Sequence, residues 1–354
     1  MNLGQEFLAR LGIRLPIVQA PMAGVSTPQL AAAVSNAGGL GSIGIGAVSA
    51  EQGRQQIEAT RALTDRPFNV NVFCHAPAQR DPEREAAWLE HLAPLFAEAG
   101  VEPPAALNEL YTSFLDDDDV FHMLLEQRPA VVSFHFGVPS PDRVRALSQA
   151  GIYTMATATH VQEADLIGKA GIDAIVAQGI EAGGHRGIFD ADASDEGLAT
   201  SVLVRMLVHK TRRPVIAAGG IIDGQGIRAV LDLGAAAAQL GTAFVLCPES
   251  SANESYRQNL KSTQAATTRL TRVLSGRPAR GLVNRLVRHG EAAGSPAPAA
   301  YPLAYDATKQ LAAAAAKLGL SEFAAQWAGQ GAPLARERPA AELVEMLARE
   351  LERR

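Results

Sequence analysis

Cysteine is nearly absent. Cys74 and Cys247 stand alone among 354 residues. They supply neither a disulfide framework nor the paired spacing of a metal site, and each is expected as a buried core thiol. Aromatic residues make up only 5% of the chain, and no apolar run approaches the length of a membrane span. The stretch from Met1 to Pro16 lacks the basic and then apolar layout of a signal peptide. The formal net charge is −5, without the basic surplus of a general nucleic-acid binder. These absences point to a cytoplasmic protein acting on small molecules, with neither membrane nor nucleic acid as partner. Nothing in the composition speaks to its oligomeric state.

What the chain does have is a rhythm, on a globular composition of 47% hydrophobic and 19% charged residues. Short apolar runs alternate with helix-like stretches. The runs are Ile17–Met22, Leu40–Gly44, Phe68–Phe73, Ala130–Phe136, Tyr153–Thr157, Asp173–Ala177, Pro214–Gly220 and Ala238–Val245. Between the first two, Thr27 is placed to cap a helix with Pro28 in its first turn. Continuous apolar strands separated by helices imply a parallel sheet buried on both faces. Eight is the number that closes a (β/α)₈ barrel, the TIM barrel; an open doubly wound sheet is the runner-up.

The rhythm breaks twice. Residues 74–127 and 248–310 are polar, Pro-punctuated and helical in part, and are expected to form a smaller, mainly helical substrate-binding domain. The barrel would then be built from 1–73, 128–247 and 311–354. The acidic run Asp116 to Asp119 reads as a solvated loop or helix start, ahead of a metal site. The second insertion gathers cations from Arg257 to Arg288, including Lys261, Arg269, Arg272, Arg277, Arg280 and Arg285. A solvated face is the plainer reading, and steering of an anionic substrate the functional one.

One stretch concentrates the chemistry: Gln178 to Gly187, where Gly179, Gly183 and Gly184 lead into His185 and Arg186. Glycines after a strand let the backbone approach a ligand closely, and the imidazole beside them is a candidate for proton handling. Catalytic groups of a barrel sit at the C-terminal ends of its strands. Those ends read Met22, Ser42, Asn71, His135, Thr157, Gln178, Gly220 and Thr242. The set is rich in amides and poor in carboxylates, which disfavours a metal centre or a two-carboxylate hydrolase; no metal is expected. Gly219, Gly220 and Gly241 end strands seven and eight, where barrels hold phosphate through backbone N–H groups. A phosphorylated flat heterocycle points to FMN.

Leu15 to Gly24, Gln178 to Gly187 and Ala217 to Ile221 resemble motifs of the nitronate monooxygenase family, formerly 2-nitropropane dioxygenase. Tyr301-Pro302-Leu303-Ala304-Tyr305 followed by Lys309 resembles its class I branch. The resemblance implies an FMN-bound TIM barrel with a smaller domain over its mouth. It carries flavin contacts onto Met22, Asn71, Gln178, Gly183, Gly220, Gln239, Gly241 and Thr242, with Asn69 competing for the role of Asn71 and Trp327 closing over the flavin. Substrate-side roles fall on His135, His185, Tyr301, Tyr305 and Lys309, with His185 the catalytic candidate. Tyr301, Tyr305 and Lys309 would share one helix face. The implied reaction is O₂-dependent oxidation of a small anionic alkyl nitronate, propionate 3-nitronate above others, to a carbonyl compound and nitrite or related nitrogen oxides without NAD(P)H. An NAD(P)H-dependent quinone or enoyl-thioester reductase on the same fold is the rival, and a non-enzymatic flavin sensor the remoter one.

Overall fold

The computed structural model describes residues 2–353. Among the described residues there are eleven strands: β1 Ile17–Gln19, β2 Gly41–Gly44, β3 Phe68–Phe73, β4 Val131–His135, β5 Tyr153–Ala158, β6 Ala174–Gln178, β7 Gly184–His185, β8 Val215–Ala218, β9 Ala237–Leu240, β10 Thr268–Thr271 and β11 Ala279–Leu282. Eight of them run parallel in the order β1-β9-β8-β6-β5-β4-β3-β2. A parallel bridge between Val18 and Leu40 joins the two ends, so the sheet closes into a TIM barrel.

The barrel's inner core holds Val18, Val131, Met155, Val176 and Ile216, and the helix Leu3–Leu11 adds Phe7 and Leu11 to the same cluster. Outward-facing strand residues such as Ile43, Val70, Val132 and Ile175 pack with Leu30, Val34, Leu203 and Leu207 of the surrounding helices. Local signals act as expected: Thr27 accepts the N–H of Leu30 at 3.0 Å, with Pro28 opening the Pro28–Asn36 helix. Both cysteines are buried free thiols. No helix among the described residues is long and apolar enough to cross a membrane.

Three expectations need correction. The eighth barrel strand stops at Leu240, and Thr242–Val245 is helical. The second insertion is not only helical, because β10, β11 and β7 form an antiparallel sheet in that order. In it His185 pairs with Ala279 and Gly184 with Arg280, so the loop after β6 is stitched to the insertion. The helix containing Tyr305 and Lys309 spans Leu303–Lys317; Tyr301 lies in the turn before it and is not on its face.

A second hydrophobic core joins Trp88, Leu92 and Phe96 to Leu286, Leu303, Leu311 and Phe323. The Asp118–Gln127 helix instead packs its Val120, Met123 and Leu124 into the barrel's outer core. We therefore propose a smaller unit that begins near residue 74, ends its first segment before that helix, and extends its second segment to about Phe323. The acidic run starts that helix: Asp117 caps it by accepting the Val120 N–H at 2.9 Å, and Asp118 pairs with Arg143 at 2.6 Å.

Candidate active site

A cavity of about 640 Å³ opens at the C-terminal mouth of the barrel, beneath the second unit. Its size is that of a small-molecule or cofactor site. Met22, Asn71, Gln178, Gly183, Gly220, Gln239, Gly241, Thr242 and Trp327 all line it, as do His135, His185, Tyr305 and Lys309.

At the β8 and β9 end the wall is glycine. Gly220 has a φ of +71°, a conformation that favours glycine over L side chains. The N–H groups of Gly220 and Gly241 have no hydrogen-bond partner among the described residues. Such amides at a cavity wall suit the oxygens of an anionic group. Gly183 meets a different demand. A Cβ there would stand 2.5 Å from the Gly329 nitrogen and 2.6 Å from the Ala328 carbonyl carbon, so the two loops touch backbone to backbone.

Across the barrel the two strand-three amides separate. Asn71 lines the cavity and donates to the Ser133 hydroxyl at 2.9 Å. Asn69 is fully buried below it and donates to Ser42 at 3.2 Å. Gln178 has its amide committed to the loop that follows. Its Oε1 accepts the Gly187 N–H at 2.7 Å and its Nε2 donates to the His185 carbonyl at 3.0 Å. Arg186 anchors the same loop from a buried position, with a bidentate pair to Asp195 at 2.7 and 2.9 Å. Its guanidinium holds the Asp195 carboxyl below the usual aspartate range.

His135 and His185 differ in what they leave free. His135 Nε2 lies 3.2 Å from the His185 carbonyl, which can only accept, so this nitrogen carries the proton. Nδ1 then accepts from the Thr157 hydroxyl at 3.0 Å. Both nitrogens are used within the protein, so His135, which also lines the cavity, braces the loop that carries His185. His185 Nε2 sits 2.9 Å from the Ser275 hydroxyl, and Nδ1 has no partner among the described residues. Burial, then Arg277 and the neighbouring His135 and His75, lower the His185 pKa to about 3, so the ring is neutral at physiological pH.

Aromatic rings enclose His185. Trp327 is 5.0 Å away between centroids, Tyr301 5.5 Å, Phe136 5.7 Å and Tyr305 6.1 Å. Tyr301 is buried behind this wall and does not itself line the cavity. Lys309 is exposed at the mouth, its Nζ 4.9 Å from the Tyr305 ring centre and 5.4 Å from that of Tyr111. It makes no ion pair among the described residues.

Sequence reasoning missed Tyr111, His75 and Ser275, and read Arg277 only as one cation of the basic stretch. Tyr111 lines the cavity from an irregular part of the first insertion. His75 follows β3 closely enough that the strand-end rule could have found it; the other three sit in segments with no periodic signal. The basic stretch is largely consumed by structure. Arg257 donates to carbonyls of Leu246, Cys247 and Ala252, Arg269 pairs with Glu291, and Arg285 with Glu98 and Glu322. That favours the structural reading of those cations over steering.

The family model for nitronate monooxygenase matches residues 5–350. A Pseudomonas aeruginosa protein named nitronate monooxygenase is 60% identical over 98% of this chain and 99% of its own length. One of the same name from Paraburkholderia phytofirmans is 58% identical over 98% of this chain and 95% of its own. Among solved structures, nitroalkane oxidase from Streptomyces ansochromogenes superposes with a TM-score of 0.89 at 44% identity, over 97% of each chain. FabK from Thermotoga maritima gives a TM-score of 0.73 at 30% identity, over 98% of this chain and 96% of that one.

Proposed function

The chain belongs to the nitronate monooxygenase family and is an enzyme, and from that premise we propose that it oxidises small anionic alkyl nitronates with FMN and O₂, without NAD(P)H. The favoured substrate is propionate 3-nitronate, and the products are a carbonyl compound and nitrite or related nitrogen oxides. The observation that carries the reading is one cavity with two kinds of wall. Open glycine amides lie at one end, and a neutral imidazole, tyrosines and an unpaired ammonium lie at the other.

The donor set fits a phosphorylated flavin. Gly220, Gly241 and Thr242 would hold the phosphate, and Met22, Asn71, Gln178, Gly183, Gln239 and Trp327 the ring system. Bound FMN would supply a two-electron acceptor that O₂ can reoxidise.

The remaining groups act on the substrate. Lys309 attracts the carboxylate of propionate 3-nitronate at the mouth; charge-assisted contacts of this kind are about twice as strong as neutral ones. Tyr305, with its phenol kept protonated by burial, donates to an anionic oxygen without competing for the charge. His185, neutral and steadied by Ser275, offers a hydrogen bond to a nitronate or a lone pair to the carbon-bound proton of a neutral nitroalkane. Trp327, Tyr301 and Phe136 surround His185 and limit water around it.

The likeness to FabK keeps an enoyl-thioester reductase as the second reading. An anaerobic cuvette separates them. Propionate 3-nitronate should bleach the yellow holoenzyme and NADH or NADPH should not; the reverse result would move the protein to the reductases.

A further inference from the structure

Arg277 is only 3% exposed, yet it forms no ion pair among the described residues. Its Nη2 donates to the carbonyls of Ile188 and Phe189. Its Nε is buried without any hydrogen-bond partner. The guanidinium rests 4.2 Å from the centre of the Phe136 ring, and Phe136 lines the cavity. Phe136 takes a φ of +75°, which is costly for a bulky non-glycine residue and marks a position held by its surroundings. The Arg277 backbone reaches the other side of the same wall, since its carbonyl lies 3.2 Å from the Ser275 hydroxyl that holds His185.

The carboxylates of Glu163 and Asp190 act on it only through space. A buried cation outside any ion pair is expensive, and proteins retain one where a ligand supplies the pairing anion or where its field is used. We infer that Arg277 is the specificity-determining charge of this cavity, a fixed cation behind the Phe136 ring that selects anionic ligands over neutral ones of the same shape. The ligand class is a small oxyanion: the nitronate group of a substrate, or nitrite among its products. Lys309 cannot fill this role alone, because it is exposed at the mouth, where solvent and salt screen it. Arg277 sits where screening is weak. At about 8 Å and an effective dielectric near 20, a unit charge favours an anion by roughly ten- to thirtyfold. It acts through space and on the wall, so it is a positioning residue and not a catalytic one.

The inference rests on the nitronate reading for its substrate but not for its test. Calorimetric titration of the holoenzyme with sodium nitrite and with 1-nitropropane reads anion preference without turnover. Arg277→Met should weaken nitrite by roughly ten- to thirtyfold while 1-nitropropane changes by less than about threefold. Arg277→Lys, which keeps the charge but not the planar fork, should retain most of the nitrite affinity. Equal weakening of both ligands in Arg277→Met would make the residue a structural strut and overturn the inference. If the Met variant does not fold, loss of the nitrite preference in a folded Lys variant would overturn it as well. Failure of the nitronate reading would appear separately, as normal nitrite selectivity in an enzyme that turns over no nitronate.

Discussion

Acid should destabilise this protein well before its carboxylates protonate, and the magnitude follows from three buried imidazoles. Burial is the main cause in each: it lowers His75 and His135 to about 4 and His185 to about 3, from an ordinary 6.5. In the folded state these rings are neutral; unfolded, they bind protons below pH 6.5. The unfolded chain therefore takes up more protons between pH 6.5 and about 4, and stability falls as pH falls through that window. At pH 5, about 1.5 units below the unfolded value of each ring, each costs about 2 kcal/mol. Relaxation and residual solvent around the rings discount all three alike, and halving the combined loss gives about 3 kcal/mol. For a chain of this size that corresponds to a melting temperature roughly 4 °C lower than at pH 7. Asp195, Glu85 and Glu350 sit below their ordinary values, so their contribution is lost only at more acid pH. Thermal melts by circular dichroism at pH 7, 6 and 5 would read the slope. His75→Leu removes one imidazole whose Nδ1 has no partner, and should flatten the slope by about a third. A melting temperature constant from pH 7 to 5, or a slope unchanged in His75→Leu, would refute the argument.

His185→Asn should lower turnover of a neutral nitroalkane by about 10²-fold, the low end for a general base because the ring's pKa is depressed. Oxygen uptake with the matching nitronate should fall much less, and equal losses on both forms would make His185 an organiser of the site. Gly183→Ala forces a Cβ into the Gly329 backbone and should cost about 1–3 kcal/mol, together with weaker flavin retention. A denaturation midpoint and flavin content both matching the native enzyme would show that the two loops can part. Because the cations from Arg257 to Arg285 are tied to carbonyls and carboxylates, kcat/KM for an alkyl nitronate that lacks a carboxylate for Lys309 should change by less than about twofold between low and physiological salt. A steep decline would restore long-range steering.

The barrel was legible because its strands are continuous apolar runs, a pattern that only a sheet covered on both faces explains. Cap chemistry at Thr27 and Pro28 was legible for the same reason: it is local. The lid sheet was not. β7 is two residues long, and its partner β11 lies far along the chain, so the pairing of His185 with Ala279 exists only once the second unit has docked. The failure of the shared helix face is similar. A spacing of four links Tyr305 to Lys309, but the helix begins at Leu303, and Tyr301 reaches the aromatic wall from the preceding turn. The division between Asn69 and Asn71 could not be drawn from alternation, which points both side chains the same way; depth in the barrel decides it, and depth depends on where the strand ends. The same limit explains His135 and Arg277. Sequence identifies an imidazole at a strand end and a cation in a basic stretch, but not that a carbonyl and a threonine consume both ring nitrogens of the first. Nor does it reveal that the second is buried without an ion pair among the described residues. What a polar side chain can do here is set by which partners remain after folding, and that remainder is a tertiary quantity.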